Sequence, residues 1–259
     1  MPRNPRSSSG HSLRAQLTQA GVDILHHSDG PAITPGASVS WQRHALYGTL
    51  ALLALMVTLL LWFVIARPVQ VLPRIAPAPG FILTDQDGRW LSDGDLRGSI
   101  LLISFGATRC GEPCAALERN MLDVRDMLRA DGRLGSRVRL VTISIDAEHD
   151  TPPALRAYAE RLGGGPPEWH FLTGAASELK QLIGGEYGVY YRLDSANLEL
   201  DQRAVLVDAS GLLRAEYDGA RFDPAIVLRD IGLVEQEANS GDASRPIYEV
   251  AHLFVCYPR

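Results

Sequence analysis

The chain has 259 residues, of which 46% are hydrophobic and 21% are charged. This composition excludes a disordered or collagen-like chain, and three cysteines are too few for a small scaffold held together by disulfides. The 25 basic and 30 acidic side chains give a net charge of -5. Because nucleic-acid binding depends on an excess of cations, we predict no nucleic-acid partner.

An uncharged apolar run extends from Ala45 to Ala66. As a helix it would be about 33 Å long, which is enough to cross the hydrocarbon core of a bilayer. The run is longer and further from the first residue than the apolar part of a cleavable signal peptide, and a buried soluble helix of this kind is rare. We therefore predict a transmembrane anchor over residues 45–66.

The orientation of this anchor follows from the arginines near its ends. More arginines precede the apolar run than follow it closely, and basic segments stay on the cytoplasmic side. We predict that residues 1–44 form a mobile cytoplasmic tail. The anchor would lie in a bacterial inner membrane, with the C-terminal domain in the periplasm and the helix as the only membrane contact.

The segment 67–80 contains four prolines, whose fixed φ and missing N–H groups favour an extended backbone. It predicts a semi-rigid spacer that holds the next domain away from the bilayer. From Phe81 onward, short apolar strands alternate with amphipathic helices. The predicted elements are a hairpin over 81–91, a buried strand over 100–105, a helix over 114–130, a strand over 138–145, a helix over 151–162, a strand over 170–172, a helix through 179–183 that stops at Gly184-Gly185, a hairpin over 204–217 and a helix from 223.

This order of elements predicts an α/β domain over residues 81–237, in which a mixed sheet carries helices on both faces. A C-terminal tail, residues 238–259, follows it. One transmembrane helix precedes the domain in the predicted architecture.

Cys110 and Cys114 lie where the buried strand ends and the next helix begins. A helix N-terminus favours the thiolate, which is the form that attacks disulfides and binds soft metals. Since one helical turn separates the two positions, the sulfurs can form a disulfide or share one ion, chiefly Cu(I). We expect the sulfurs to be close together and accessible to water. The alternative is a permanent disulfide or two inert thiols, although closing so short a loop adds little stability.

Several motifs around these cysteines resemble the Sco/SenC family, whose members are membrane-anchored, thioredoxin-fold assembly factors of cytochrome c oxidase. The motifs are Phe81-Ile-Leu-Thr-Asp-Gln-Asp-Gly88, Leu96-Arg97-Gly98, Phe105-Gly106, Thr142-Ile-Ser-Ile-Asp146, Asp150-Thr151-Pro152, Phe171-Leu-Thr-Gly174, Tyr187-Gly-Val189 and Leu206-Val-Asp208. The resemblance implies a thioredoxin-like fold. It also implies copper bound by the two cysteines and a histidine, then delivered to the dinuclear copper centre of the oxidase or used with thiol reduction of that centre.

The family histidine would fall within Asn197–Arg203, and this segment contains no histidine. Two thiolates without a third donor can hold Cu(I) but suit Cu(II) poorly. His149 and His170 could each turn toward the cysteines, although an isolated histidine is more often a solvated or core side chain.

His252 and Cys256 would share one face of a helix or strand and could cap the site or bind metal. The simpler interpretation is that Leu253, Phe254 and Val255 pack as an edge strand, with Cys256 a small buried hydrophobe.

Several other side chains near the predicted site could have either a functional or a purely structural role. Asp146 could orient the site, as the matching aspartate of the family lies close to it, or could form a turn. Met121 and Met127 follow the cysteines on the same helix, and we predict packing or surface roles for both. Asp201 and Gln202 offer only weak, hard ligands.

Three functional hypotheses remain. The first is a Sco-like protein in which Cys110 and Cys114 bind Cu(I), or reduce a thiol pair, for the copper-centre subunit of cytochrome c oxidase. The second is a metal-independent dithiol-disulfide oxidoreductase, with Cys110 as the attacking thiol and Cys114 as the resolving thiol. The third is an interaction module that holds an oxidase subunit without chemistry of its own.

Overall fold

The computed structural model describes residues 37–66, 70–193, 198–218, 222–241 and 245–254. The chain divides into two compact units, Met1–Trp62 and Phe63–Arg259. The first contains most of one long helix, and the second contains an eight-stranded sheet with its helices.

Helix α1 spans Ala37–Ala66, and its stretch Trp41–Trp62 is long and apolar enough to cross a membrane, with a mean hydropathy of 2.1. The helix begins earlier than the predicted anchor, because no glycine or proline interrupts the residues before Ala45. The rest of the predicted mobile tail, residues 1–36, lies outside the described residues.

The proline-rich segment differs from the predicted spacer. Val71 and Leu72 are buried, and Ala76–Pro77 forms an edge strand of the sheet. Residues 70–78 therefore belong to the folded domain, because this short stretch buries apolar side chains and satisfies its backbone hydrogen bonds against the last strand. Residues 67–69 lie outside the described residues.

The large sheet is mixed, with the strand order β1-β10-β9-β4-β5-β6-β2-β3. Its strands are β1 Ala76–Pro77, β2 Ile82–Asp85, β3 Trp90–Ser92, β4 Ile100–Gly106, β5 Val138–Ser144, β6 Trp169–Thr173, β9 Arg203–Val207 and β10 Leu212–Asp218. A separate hairpin consists of β7 Tyr191–Leu193 and β8 Leu198–Leu200. Every residue of β4 is buried, as its continuous apolar sequence predicts.

Helices cover both faces of the sheet. The helices of this unit are α2 Glu112–Ala130, α3 Pro152–Leu162, α4 Ala176–Leu179, the π-helix Lys180–Glu186, α5 Pro224–Ala238 and α6 Arg245–Phe254. One apolar cluster joins α2, α3 and α5 to the sheet, and a second joins α4 and the π-helix to it. The predicted mixed sheet with helices on both faces is confirmed.

Three elements differ from the sequence predictions. The helix expected to stop at Gly184-Gly185 continues as a π-helix to Glu186, because Leu182 and Ile183 remain buried against the sheet. The hairpin of β7 and β8 was not predicted. The expected edge strand at Leu253–Val255 is wrong as far as Phe254, since residues up to Phe254 belong to α6.

Strands β4, β5 and β6 are parallel, and Gly106 at the end of β4 lies beside Ser144 at the end of β5. The carboxyl ends of neighbouring parallel strands meet at one edge of the sheet. The loops that follow β4 and β5 therefore lie side by side, and the first of them carries Cys110.

Candidate redox and metal site

The two cysteines lie on either side of the start of α2. Strand β4 ends at Gly106, Cys110 lies in the connecting loop, and Cys114 lies in the first turn of α2. Between them, Gly111 has φ +62°, a left-handed conformation that favours glycine. The strand-to-helix junction predicted from the sequence is present in the structure.

Cys110 and Cys114 form a disulfide, with their Cα atoms 5.6 Å apart. The predicted proximity of the sulfurs is therefore confirmed. Both residues are buried, at 5% and 6% exposure, and belong to the second apolar cluster. The prediction that water reaches both sulfurs is wrong for this oxidised form, because the bridged side chains pack against the core.

A buried carboxylate holds the loop before Cys110. Asp150 is fully buried, and its carboxylate accepts hydrogen bonds from the backbone N–H and the hydroxyl of Thr108. The hydroxyl of Ser144 donates to the same carboxylate. Since Ser144 and Asp150 belong to β5 and the loop after it, this contact ties the two adjacent loops together.

A second carboxylate contacts the residue next to Cys110. Asp146 accepts a hydrogen bond from Arg109 at 3.1 Å and lies 2.8 Å from Nδ1 of His149. Burial raises the pKa of Asp146, but the hydrogen bonds from His149 and Arg109 outweigh it and hold the pKa below its usual range. Asp146 is therefore an ionised, almost completely buried carboxylate that contacts both loops.

An open cleft of about 1000 Å³ lies beside these loops. Arg109, Asp146 and His149 line one part of it, and the π-helix and the segment around Tyr190 line another part. The side chains of Arg109 and His149 are 59% and 44% exposed, so solvent reaches both. The cleft is therefore open to solvent at Arg109, the residue that precedes Cys110.

Cys114 borders a separate, small cavity of about 20 Å³ that Glu118 and Tyr158 also line. The hydroxyl of Tyr158 donates to the carboxylate of Glu118. Burial, followed by this hydrogen bond, raises the pKa of Tyr158. Tyr158 therefore remains protonated at neutral pH and acts as a donor that links α3 to α2.

The described part of the segment in which the family histidine was expected, residues 198–203, contains no histidine. Leu200 of β8 packs against the apolar cluster that contains both cysteines. Asp201 pairs with Arg203, and the side-chain oxygen of Gln202 is buried without a hydrogen-bond partner. In this segment the side chain that packs against the cluster with the cysteines is therefore the apolar Leu200.

The remaining candidates have other environments. His170 is buried in β6, where burial and then the charge of Arg139 lower its pKa. His252 lies in α6 with Nε2 2.9 Å from Glu237, and Cys256 lies outside the described residues. Met121 is a core side chain and Met127 is exposed, which confirms their predicted packing and surface roles.

The donor chemistry of the cysteine pair fits Cu(I) once the disulfide is reduced, because two thiolates are soft ligands. Across the part of the chain that the structure describes, no three cysteine, histidine or acidic side chains are grouped closely enough to hold a metal ion. The oxidised arrangement therefore presents an incomplete set of donors.

Sequence reasoning did not find the roles of Thr108, Arg109 and Asp150. In the sequence, Asp150 stands out only as part of the family motif Asp150-Thr151-Pro152. The available signal was its place just after a strand parallel to β4, since polar residues that follow such strands meet at one edge of the sheet.

These features define the class: a thioredoxin-like α/β protein with a dithiol-disulfide pair where a central strand leads into a helix. The sequence model of the SCO1/SenC family matches residues 73–233. The chain belongs to this family.

Curated relatives match the same region. The SCO1 protein homolog of Bacillus subtilis is 26% identical over 147 residues, which cover 56% of this chain and 75% of that protein. The SCO2-like protein of Rickettsia conorii is 30% identical over 51% of this chain and 64% of its own length. The human mitochondrial SCO1 homolog is 35% identical over 43% of this chain and 35% of that protein. The chain therefore spans only part of these relatives.

Solved structures share the fold. BsSco, described as a member of the Sco family of cytochrome c oxidase assembly proteins with a disulfide switch, matches with a TM-score of 0.57 and 23% identity over 64% of this chain and 98% of its own. Arabidopsis thaliana ScoI with copper bound matches with a TM-score of 0.53 and 23% identity over 64% of this chain and 100% of its own.

Proposed function

We propose that this protein is a membrane-anchored Sco-type copper chaperone or thiol reductant for the assembly of the copper centre of cytochrome c oxidase. Cys110 and Cys114 would be both the copper ligands and the redox pair. The copper-centre subunit of the oxidase would be the partner. The observation that carries the proposal is the pairing of these cysteines at the strand-helix junction of a SCO1/SenC chain.

The proposed arrangement in the cell follows the sequence predictions. Helix α1 would anchor the chain in a bacterial inner membrane, and the domain would face the periplasm. In that oxidising compartment a dithiol can cycle between the disulfide and the reduced form. The related proteins named above for oxidase assembly and for bound copper support the copper and oxidase parts of the proposal.

The residues around the cysteines each have a proposed part. The N-terminus of α2 stabilises negative charge on Cys114, so the reduced pair holds Cu(I) as thiolates. Asp150 and Asp146 keep the loop of Cys110 in position through Thr108 and Arg109. When the thiols instead reduce a partner disulfide, two electrons pass to that disulfide, and Cys110 and Cys114 become joined.

One observation favours a second function, a metal-independent dithiol-disulfide oxidoreductase. The described residues hold no ready three-donor metal site, whereas they do hold a formed disulfide. In that reaction Cys110 attacks the partner disulfide and Cys114 resolves the mixed disulfide.

A titration distinguishes the two functions. The full chain in detergent is reduced and titrated with Cu(I) against a competing chelator. A one-to-one complex that is lost in Cys110→Ser and in Cys114→Ser, but retained in Cys256→Ser, is the result expected for a chaperone. Failure to retain copper, together with a measurable two-electron potential, would identify the oxidoreductase.

The cellular test uses the double variant Cys110→Ser, Cys114→Ser in cells that need this chain for oxidase assembly. We expect loss of the assembled copper centre. Normal assembly with the double variant would exclude both chemical functions and leave an interaction module as the explanation.

A further inference from the structure

Cys114 and Glu118 occupy neighbouring positions on one face of α2. They are four residues apart, which is about one helical turn, and both line the same small cavity. Side chains of a helix lean toward its N-terminus, so the side chain of Glu118 extends over the turn that contains Cys114. The carboxylate of Glu118 and the sulfur of Cys114 therefore share a common space.

The carboxylate of Glu118 is held in place from a second helix. The hydroxyl of Tyr158, on α3, donates a hydrogen bond to it. The ring of Tyr158 is itself fixed, because it meets Phe171 edge-on with the ring centroids 5.5 Å apart, and the guanidinium carbon of Arg161 lies 4.6 Å from its centroid. Glu118 is also partly exposed, so a proton that it accepts can leave to solvent.

The cavity between these groups can hold one water molecule. Its volume of about 20 Å³ is sufficient for a single water, which needs several polar partners when it is buried. Glu118 and Tyr158 supply two such partners, and the hydroxyl oxygens of Ser104 and Thr142, which lie 2.9 Å apart, belong to residues that line the same space. Among the described residues around this cavity, Glu118 has the only carboxylate. A proton can therefore pass from the sulfur of Cys114 to Glu118 within this space.

The chemistry of the cysteine pair requires such a proton acceptor. When the pair reduces a partner disulfide, Cys110 first becomes joined to a partner sulfur, and Cys114 then attacks the sulfur of Cys110. Only a thiolate attacks, so the proton of Cys114 must leave its sulfur at this step. Cys114 is 6% exposed and belongs to the second apolar cluster, which limits the access of bulk water to that proton. The acceptor is therefore expected inside the domain.

From this geometry we propose that Glu118 accepts the proton of Cys114 when Cys114 resolves the mixed disulfide, and that Tyr158 is the positioning residue of Glu118. The bond between the sulfurs of Cys110 and Cys114 forms as the bond from Cys110 to the partner sulfur breaks. The partner sulfur leaves with the electron pair as a thiolate, and the proton on Glu118 then passes to solvent. The inference rests on the thiol exchange of the proposed function, and it concerns the copper-free dithiol.

Trapping of the mixed disulfide tests this role. The full chain in detergent, carrying Cys256→Ser so that only the pair reacts, is reduced and mixed with oxidised glutathione. Rapid acid quenching and mass spectrometry then give two rates, that of mixed-disulfide formation and that of its conversion to the disulfide between Cys110 and Cys114. In Glu118→Gln we expect an unchanged rate of formation and a conversion slower by about 100-fold, so that the mixed disulfide accumulates.

Conservative and matched variants separate proton transfer from a structural role. Glu118→Asp keeps a carboxylate at the cavity and should restore much of the conversion rate. Tyr158→Phe loses the hydrogen bond to Glu118 and should slow conversion alone, by less than Glu118→Gln does. Asp123→Asn, at an exposed position on the same helix, should leave both rates as in the wild type. Glu118→Leu provides a second removal of the carboxylate, should the glutamine variant fold poorly.

Conversion as fast as in the wild type, in Glu118→Gln or Glu118→Leu, would overturn the assignment while leaving the proposed thiol exchange intact. Equal slowing of both steps in these variants would also overturn it, because Glu118 would then act only through the structure around the pair. Wild-type protein that forms no disulfide between Cys110 and Cys114 with oxidised glutathione would overturn the proposed thiol exchange together with the inference.

Discussion

The carboxylate of Asp150 fixes the backbone of Thr108, with Oδ2 3.1 Å from the amide nitrogen, two residues before Cys110. This contact crosses between two loops that follow adjacent parallel strands. Because Asp150 is fully buried, water cannot substitute for its protein donors. The position of the cysteine loop therefore depends on a residue that takes no part in the chemistry.

Replacement of Asp150 by asparagine should destabilise the domain. The amide would direct N–H groups toward donors from Thr108 and Ser144, leaving buried hydrogen bonds unsatisfied. We expect the free energy of unfolding to fall by about 2–4 kcal/mol, measured by urea unfolding of the full chain in detergent. Asp123→Asn, at an exposed position on α2, should change it by less than about 0.5 kcal/mol. Equal stability of the two variants would contradict the role of Asp150.

The stability of the domain should fall in acid because of Glu237. Burial raises the pKa of this carboxyl, but hydrogen bonds from Arg214, Arg74 and His252 lower it from 4.5 to about 2. A carboxyl whose pKa is depressed by folding contributes stability above its unfolded pKa and loses that contribution as pH falls through the folded pKa. We therefore expect the contribution of Glu237 to stability to be lost as the pH falls from about 4.5 to about 2.

Glu237→Gln should make the free energy of unfolding less dependent on pH in this range. Urea unfolding at several pH values measures the change. Glu249→Gln is the control, because it removes a carboxylate that also pairs with Arg74 but is 59% exposed. Exposed pairs contribute little to stability, so this variant should retain the wild-type pH dependence. An unchanged slope in Glu237→Gln would show that other groups cause the acid loss.

Two glycines should respond in opposite directions to alanine. Gly211 has φ +86°, a left-handed conformation that is strained for a residue with a Cβ, so Gly211→Ala should destabilise the domain by about 1–3 kcal/mol. Gly232 lies inside α5 with open space around its Cβ position, and Gly232→Ala should stabilise by about 0.5–1 kcal/mol. Thermal unfolding of both variants checks the prediction, and a shift of the same sign in both would contradict it.

Attachment of helix α6 depends on Ala251, which is completely buried. Ala251→Asp would bury a carboxylate that has no cation to pair with. The free-energy cost of burying this charge should detach the helix from the domain. Hydrogen exchange should show faster exchange across 245–254 and unchanged protection of β4 and β5. Glu249→Asp, on an exposed part of the same helix, should leave exchange as in the wild type. Faster exchange in β4 as well would mean that α6 unfolds only together with the sheet.

The sequence was sufficient to predict the features that depend on local pattern. The continuous apolar run of β4 predicts a strand buried on both faces, and the spacing of Cys110 and Cys114 predicts sulfurs within bonding distance. Both follow from residues that are neighbours along the chain. The order of strands and helices then predicts helices on both faces of the sheet.

Features that depend on distant partners could not be predicted. Ala76 forms a strand only because Leu213 lies opposite it, and a segment with several prolines gives no local sign of that pairing. The direction of the His149 side chain is set by Asp146, and periodicity carries no information about side chains in loops. Burial of the cysteines depends on an apolar cluster whose members come from distant parts of the chain.

The parallel alignment of β4 and β5 has an evolutionary consequence. Thr108 and Arg109 are matched to Asp150 and Asp146 only while the two strands end level with each other, at Gly106 and Ser144. An insertion in one connecting loop would separate both matched pairs at once. Across homologous chains, the lengths of these two loops should consequently change together or stay fixed.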